Sequence, residues 1–290
     1  MVKSEHRAYR ESYMGVRHPA VAGRFYPKDP GALMADVLSY LSPEETKVDA
    51  LGCVVPHAGY VYSGRIAGDV FAKINIPRRC VILCPNHTGL GRPLAIMSEG
   101  TWETPLGSVP IASDLANALK DSFSPLTEDS EAHHAEHAIE VELPFLQTLR
   151  PEVTFVPVAL GTGQFDLLEA FGVALSTVIL AQAEPVLIVA SSDMNHYEND
   201  EITRKKDARA IEQILALDPR GLFDVVRREN ISMCGFGPTV TMLTAVKRLG
   251  TPSVELVSYA TSGDVSGDRE MVVGYAGVVV TSDLTPLPRI

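Results

Sequence analysis

The stretch LGCVVPHAGY, residues 51–60, decides how we expect this chain to fold. Its first half is a nearly continuous apolar run, and Pro56, His57 and a glycine-containing turn follow at once. A short apolar run without alternation, closed by turn residues, is typical of a strand buried on both faces of a sheet. Because ligands of open α/β sheets bind beyond the carboxyl ends of the strands, His57 stands where a functional residue is expected.

The same pattern occurs twice more along the chain. The run Cys80–Cys84 is followed by Pro85-Asn86-His87, and the run Val186–Ala190 is followed by SSDMNHY, residues 191–197. Each histidine alone is compatible with an ordinary turn residue or a satisfied polar group. Three imidazoles at equivalent strand ends could also converge on one point, and imidazole is a ligand of iron, zinc, copper and nickel.

Strand and helix patterns alternate over the rest of the chain. Further apolar runs predict strands at Thr154–Ala159, Val254–Tyr259 and Val272–Val280. Helical spacing predicts helices at Pro30–Leu41, Ser113–Leu119, Phe165–Ala181, Glu201–Leu215 and Pro238–Arg248. A further helix is predicted to run from Ser63, as its N-cap, to about Ile74. No linker rich in Pro, Gly or Ser interrupts this order, which predicts a single α/β domain whose sheet carries helices on both faces.

Composition and charge restrict the class of protein. The chain has 290 residues and a net charge of −11, from 25 basic and 36 acidic residues, which disfavours nucleic acids and anionic membranes as partners. Residues 1–16 lack the apolar stretch of a signal peptide. The longest apolar runs, Ala170–Ala181 and Met271–Val280, are shorter than the roughly 20 residues that span a bilayer. We therefore expect a cytoplasmic protein with no nucleic-acid and no membrane partner.

Cys234 is the fourth candidate for site chemistry. It directly precedes the helix predicted from Pro238, and a helix N-terminus favours the thiolate, the form that binds metals. The alternative is that it is a small buried apolar residue. We prefer that alternative for Cys53, Cys80 and Cys84, which lie inside predicted strands.

The segment HHAEHAIE, residues 133–140, is rich in groups that could bind a metal. On a helix, His133 and His137 would share one face, but the order differs from the His-Glu-x-x-His motif of zinc proteases. The segment is either a ligand set or a solvated helix start. The phosphate-binding, dinucleotide-binding and nucleophile-elbow glycine motifs are missing from the sequence, which argues against nucleotide-dependent and serine-hydrolase functions.

Taken together, these motifs resemble one known family. Their order and spacing are similar to the Memo (mediator of cell motility) family, whose bacterial and archaeal members are called AmmeMemoRadiSam system protein B. The resemblance extends from about His18 to Val280. The motifs that carry it are AGRFYP (22–27), PHAGY (56–60), PNH (85–87), EHAIE with LPF (136–145), SSDMNH (191–196), Cys234-Gly235 and YATSGD (259–264).

The resemblance implies a fold and a metal pocket. The fold would be similar to class III extradiol (LigB-type) non-haem iron dioxygenases, with a central mixed β-sheet flanked by helices. It implies a Memo-like domain at residues 18–281, an N-terminal extension at 1–17 and a C-terminal tail at 282–290. It assigns His57, His87 and Cys234 to metal binding, with Fe(II) as the expected cofactor and copper or zinc as alternatives.

Other residues match further positions of the family's pocket. His196 would take the place of the acid–base histidine, with Asp193 beside it, and His137, Tyr60 and Asn86 would lie around the site. The dioxygenases bind their metal through two histidines and a carboxylate, whereas the third ligand position implied here is a cysteine. Cleavage of a catechol ring therefore cannot be inferred from the similarity of fold.

The expected function is therefore a metal-dependent oxidoreductase that acts on a small, unidentified molecule. One alternative is a non-catalytic module that binds a peptide or ligand in the same pocket. The other is a component of a system with radical SAM and AMMECR-type companion proteins, which the name of the bacterial members implies.

Overall fold

The computed structural model describes residues 15–42 and 46–282. The strands are β1 (Val16–Arg17), β2 (Ala50–Val55), β3 (Arg79–Pro85), β4 (Leu94–Ile96), β5 (Thr101–Thr104), β6 (Gly107–Pro110), β7 (Thr127–Glu128), β8 (Thr154–Leu160), β9 (Val186–Ser191), β10 (His196–Glu198), β11 (Pro252–Thr261) and β12 (Val272–Ser282). The helices are α1 (Pro30–Tyr40), α2 (Tyr60–Lys73), α3 (Ser113–Ser122), α4 (Glu131–His134), α5 (Leu143–Leu149), α6 (Phe165–Leu180), α7 (Asp200–Leu215), α8 (Pro219–Arg228), α9 (Phe236–Leu249) and α10 (Ser262–Ser266), with a 3₁₀ turn at Glu140–Glu142.

The main sheet has nine strands and mixed direction. Its order is β10-β12-β2-β9-β3-β8-β4-β7, and β11 pairs with the other side of β12. The four strands β2, β9, β3 and β8 run parallel to one another, whereas β12 and β4 flank them antiparallel. The predicted α/β fold with a mixed sheet and flanking helices is thereby confirmed. Since β2, β9 and β3 are neighbours, their carboxyl ends meet at one edge of the sheet.

The interior strands are held by burial on both faces. Val54, Ile82 and Val189 are fully buried, and each such side chain contributes roughly 1.5–3 kcal/mol of transfer free energy. Helix α9 packs directly against the sheet at Gly52. The packing is so close that a Cβ atom at this position would stand 3.0 Å from the sulfur of Met242. At the start of α9, a Cβ atom at Gly235 would stand 2.3 Å from the carbonyl oxygen of Ser191, so the helix begins directly at the end of β9.

Helix α2 begins four residues earlier than predicted. It starts at Tyr60 with Gly59 as its N-cap, and the hydroxyl of Ser63 donates to the carbonyl of Ala58 at 3.0 Å. The prediction of Ser63 as the N-cap is therefore wrong, since Ser63 bonds backward from inside the first turn. As a result, His57 lies only three residues before the helix.

The N-terminal strand β1 belongs to a small second sheet with β5 and β6. The Arg17 side chain is buried, pairs with the fully buried Glu140 and lies 4.3 Å from the centre of the Trp102 ring. Glu140 also accepts a hydrogen bond from the hydroxyl of Tyr26 at 2.6 Å. The predicted boundaries at residues 18 and 281 stay predictions. Residues 1–14 of the predicted extension and 283–290 of the predicted tail lie outside the described residues.

Helix length bears on the membrane question. Among the described helices, none combines the length and the apolar character needed to cross a bilayer.

Candidate functional site

Three strand-end segments and the residue before α9 meet at one edge of the sheet. One nitrogen each of His57 and His87 and the sulfur of Cys234 all lie within 4.8 Å of one another. The Nε2 atom of His57 stands 3.3 Å from the sulfur, and the two imidazole ring centres are 5.1 Å apart. The structure thus brings together three polar atoms from segments up to 177 residues apart in the chain.

His57 is fixed on all sides by the ends of β2 and β9. Its backbone N–H donates to Asp193 Oδ1 at 2.8 Å, and its Nδ1 lies 2.9 Å from the hydroxyl oxygen of Ser191. Burial, assisted by the neighbouring histidines, holds the pKa of His57 well below its usual value. The ring is therefore neutral, with its Nε2 atom directed at Cys234.

His87 is fixed by a buried carboxylate. Glu136 accepts from His87 N at 2.6 Å, His87 Nδ1 at 2.9 Å, His137 N at 2.8 Å and Ala138 N at 3.0 Å. Burial alone would raise the pKa of Glu136, but the hydrogen bonds and charges of these partners lower it, so the group is a carboxylate. Since a carboxylate only accepts, His87 Nδ1 is the donor and its Nε2 stays free.

His87 also opens the site to solvent. Its side chain is 32% exposed, whereas His57 is buried. Burial lowers the pKa of His87, but the hydrogen bond that it donates to Glu136 and the charge of that carboxylate outweigh this and raise it. A ligand could therefore approach from the side of His87.

His137 packs on His87 and completes a cluster of three imidazoles. The two rings stack with centres 4.7 Å apart, and Phe25 covers His137 at the same distance. Burial lowers the pKa of His137 to about 4, so it is neutral. A second group of possible ligands, His87, Glu136 and His137, is also close together, but the Glu136 oxygens are occupied by N–H donors. We read this group as a support for His87.

Cys234 is half-buried next to Asp193. The backbone N–H of Asp193 lies 3.3 Å from the sulfur. Burial, followed by the Asp193 carboxyl, raises the pKa of the Cys234 thiol well above its usual value. The expectation that the helix N-terminus favours the thiolate is corrected here: without a bound cation, burial outweighs the helix dipole. Cys53, Cys80 and Cys84 are fully buried free thiols inside β2 and β3.

Asp193 and His196 follow β9 in the chain and lie beside His57, His87 and Cys234. Burial raises the pKa of Asp193 to about 7, although the His57 N–H and the charge of His87 oppose the rise. His196 donates from Nδ1 to the carbonyl oxygen of Ser232 at 2.9 Å, and burial lowers its pKa. Two groups with perturbed pKa values beside a solvent-accessible histidine are typical of an acid–base site.

Asp207 holds the segment that carries His196. Its carboxyl is fully buried and accepts from Asn195 N at 2.8 Å and from the hydroxyl of Tyr259 at 2.7 Å. Burial raises its pKa to about 7; its two hydrogen bonds and Arg204 oppose the rise, and Glu198 adds to it. This support joins β10, α7 and β11 behind His196.

The raised pKa of Asp207 predicts a specific dependence of stability on pH. In the unfolded chain the group titrates near 3.9, so the folded state binds more protons between pH 4 and about 7, and stability falls as the pH rises through that range. Replacing Asp207 by asparagine removes this penalty. We expect the free energy of unfolding of Asp207→Asn, relative to the unmodified chain, to rise by about 3 kcal/mol between pH 5 and pH 8. Urea titrations of both proteins at the two pH values measure this, and a difference independent of pH would contradict it.

Two predicted pocket residues point elsewhere. The hydroxyl of Tyr60 donates to the carbonyl of Val141 at 2.7 Å, so this side chain supports the wall of the site. Asn86 shapes the turn after β3, since its amide donates to Leu90 O at 2.7 Å and its oxygen accepts from Gly89 N at 2.9 Å.

The segment after α4 also differs from the helical interpretation. The helix ends at His134, so His133 and His137 do not share a face. His133 is fully buried beside the Trp102 ring, which rules out a solvated helix start at this position.

A family model described as Memo-like protein matches residues 17–279. The chain belongs to the Memo family. A MEMO1 family protein of Methanopyrus kandleri is 44% identical over 278 residues, covering 91% of this chain and 98% of that one. A MEMO1 family protein of Thermotoga petrophila is 41% identical over 279 residues, covering 91% and 99%.

A solved structure supports the fold independently of sequence. The crystal structure of an uncharacterized protein from Escherichia coli K12 matches 80% of this Memo-family chain and 99% of its own, with a TM-score of 0.52 and 12% identity. At this identity the likeness concerns the fold alone.

Proposed function

We propose that this Memo-family chain binds one transition-metal ion through His57, His87 and Cys234 and acts as a metal-dependent oxidoreductase on a small molecule. Fe(II) is the metal we favour, with copper and zinc as alternatives. The observation that carries the proposal is the convergence of two imidazole nitrogens and a thiol sulfur within 4.8 Å of one another.

The chemistry of the three donors suits such an ion. Both imidazoles use Nδ1 for a hydrogen bond, to Ser191 and to Glu136, which leaves Nε2 as the free donor of each ring. Tying the second nitrogen to a hydrogen-bond partner is the usual way in which proteins orient a histidine ligand. A set of two imidazoles and one thiolate is accepted by iron, copper and zinc. The raised pKa of Cys234 is compatible with this, because a bound cation stabilises the thiolate in place of the proton.

The chain's own groups supply binding and proton transfer. A bound metal would act as a Lewis acid or redox centre for a substrate that enters on the exposed side of His87. With its pKa near 7, Asp193 can accept or release a proton at neutral pH. His196 presents its Nε2 as a base, since Nδ1 is held by Ser232.

The proposal is tested with Co(II), whose bond to a thiolate gives a charge-transfer absorption in the near ultraviolet. The purified chain, stripped of metal and kept anaerobic, is titrated with Co(II). We expect one equivalent to bind with that absorption, and we expect Cys234→Ser to lose it and His87→Ala to bind at least tenfold more weakly. The matched control is Cys80→Ala, a fully buried cysteine of β3, which should behave like the unmodified chain.

Two results would sink the metal proposal. One is the absence of Co(II) binding by the unmodified chain. The other is binding that is unaffected by Cys234→Ser and His87→Ala. If Co(II) binds as expected but the Fe(II) form consumes no oxygen or reductant with any small-molecule library, the oxidoreductase part fails and the metal site stands.

A binding module remains a second candidate, favoured by the surface around the site. Four exposed apolar side chains lie on the segments that follow the site strands: Val61, Tyr62, Leu90 and Tyr197. Tyr197 has a φ of +64°, an uncommon conformation for a bulky residue and one that costs stability. The test is to select a peptide that binds this exposed apolar surface from a random library. Tight binding that is unaffected by His57→Ala and by a chelator would favour a non-catalytic binding module. The radical SAM and AMMECR-type companions stay a prediction from the family resemblance.

A further inference from the structure

Glu142 is a buried carboxyl without a cation. It is fully buried in the 3₁₀ turn, its Oε1 lies 2.9 Å from the hydroxyl oxygen of Ser191, and its Oε2 has no hydrogen-bond partner among the described residues. The polar groups that act on it include Ser191, the Asp193 carboxyl, the Tyr60 hydroxyl and the Cys53 thiol, and none of these carries a positive charge. An isolated buried carboxylate costs several kcal/mol, so such a group takes up a proton instead.

The hydrogen bonds of Ser191 also indicate that Glu142 is protonated. Its hydroxyl oxygen is 2.8 Å from the carbonyl of Ala138, 2.9 Å from Glu142 Oε1 and 2.9 Å from His57 Nδ1. The hydroxyl has one hydrogen and two lone pairs, and a carbonyl oxygen can only accept. If Ser191 donates to Ala138, the other two neighbours must both donate. All three contacts are then satisfied, and this requires an O–H on Glu142 and an N–H on His57 Nδ1.

The alternative leaves polar groups unpaired. If Glu142 were a carboxylate, Ser191 would have to donate to it, and the buried carbonyl of Ala138 would lose this donor. The Oε2 atom would then be an unpaired anionic oxygen in the core, which is far costlier than the unpaired carbonyl oxygen of a neutral acid.

We propose that Glu142 is a neutral carboxylic acid that donates to Ser191 and, through Ser191, fixes the Nδ1–H tautomer of His57. Ser191 and Glu142 are then positioning residues, which aim the lone pair of His57 Nε2 at the place occupied by Cys234. The tautomer is a property of the metal-free chain, while its importance for binding rests on the proposed metal site.

This assignment makes the two histidines of the site unlike each other. His87 is backed by the anionic Glu136, whereas His57 is backed by a neutral hydroxyl and a neutral acid. His87 would be the stronger electron donor of the pair.

The tautomer is tested directly on the metal-free chain by nitrogen-15 NMR of the histidine rings, with His57→Gln used to assign the signal. We expect His57 to carry its proton on Nδ1 in the unmodified chain and in Glu142→Gln, whose amide also donates to Ser191. In Ser191→Ala we expect a mixture with the Nε2–H form. A proton on Nε2 in the unmodified chain would overturn the inference.

Infrared difference spectra test the protonation of Glu142. Subtracting the spectrum of Glu142→Gln from that of the unmodified chain at pH 7 should show a protonated carboxyl band and no carboxylate bands. The opposite pattern would overturn the inference.

Metal affinity tests the positioning role. We expect Co(II) to bind at least tenfold more weakly to Ser191→Ala and to Glu142→Leu, whereas Glu142→Gln stays within about threefold of the unmodified chain. The control Ser176→Ala removes an equally buried serine in α6, and thermal unfolding of every variant separates misfolding from misplacement. Equal losses in the Leu and Gln variants would overturn the role of the donor. If the unmodified chain binds no Co(II), the proposed function fails, and the NMR and infrared results still decide the inference.

Discussion

Replacing Gly235 by alanine is expected to destabilise the protein by about 3 kcal/mol and to displace Cys234. A Cβ atom at Gly235 would lie 2.3 Å from the carbonyl oxygen of Ser191 and 2.4 Å from Ser192 Cβ. The first of these neighbours is backbone at the end of a fully buried central strand, so the segment that carries Cys234 must move instead. Cys234 Sγ stands only 3.3 Å from His57 Nε2. Moving the segment that carries Cys234 therefore separates these two metal-donor atoms.

The measurement is a urea titration combined with a Co(II) titration of the variant. We expect both the free energy of unfolding and the metal affinity to fall, the latter by at least tenfold. The matched control is Gly237→Ala, two residues later in α9, where the new methyl group would lie 3.3 Å from the end of the Leu168 side chain and 3.7 Å from the carbonyl oxygen of Thr162, an ordinary contact distance. That change should be close to neutral, because alanine favours the helix. Equal effects of the two substitutions would contradict the close approach at Gly235.

The second large effect is expected at Glu136. In the unmodified chain, N–H groups of His87, His137 and Ala138 donate to the Glu136 carboxylate. Glu136→Gln would turn an NH₂ group, which is itself a donor, toward some of these N–H groups and leave them unpaired. Leaving such donors without partners costs about 3 kcal/mol in sum and frees the His87 ring to rotate.

Thermal or urea unfolding measures the cost, and Co(II) affinity measures the loss of orientation, which we expect to be 10- to 100-fold. Glu131→Gln, an exposed glutamate of the same segment, is the control and should change neither quantity. A Glu136→Gln protein as stable as the control would show that the carboxylate does not hold His87.

The sheet could be predicted because burial leaves a local mark on the sequence. The six predicted strands are present in the structure, as continuous apolar runs such as Val186–Ala190 can only be buried there. The short strands β1, β5, β6 and β7 have no such mark, because segments of two to four residues cannot contain a continuous apolar run. The start of helix α2 was misplaced by four residues because a serine is a good N-cap in general, while Gly59 takes that position here.

The site could be predicted in part, for a similar reason. The end of a strand marks where a side chain emerges, so His57 and His87 were visible in the sequence. The partners that orient them were not, because Ser191 and Glu136 acquire their roles only when β9 and the segment after α4 approach the histidines. The signal that could have found Glu142 is an acidic residue within the apolar run AIEVELPF, residues 138–145, where its neighbours Val141, Leu143 and Phe145 are buried.

Above all, we propose that His57, His87 and Cys234 hold one metal ion. The most direct test is a crystal grown anaerobically with Fe(II), with diffraction data on both sides of the iron absorption edge. We predict one anomalous peak bonded to His57 Nε2, His87 Nε2 and Cys234 Sγ, with a free position facing His196. An iron peak elsewhere in the chain, or density between the three side chains that shows no iron at saturating Fe(II), would contradict the account.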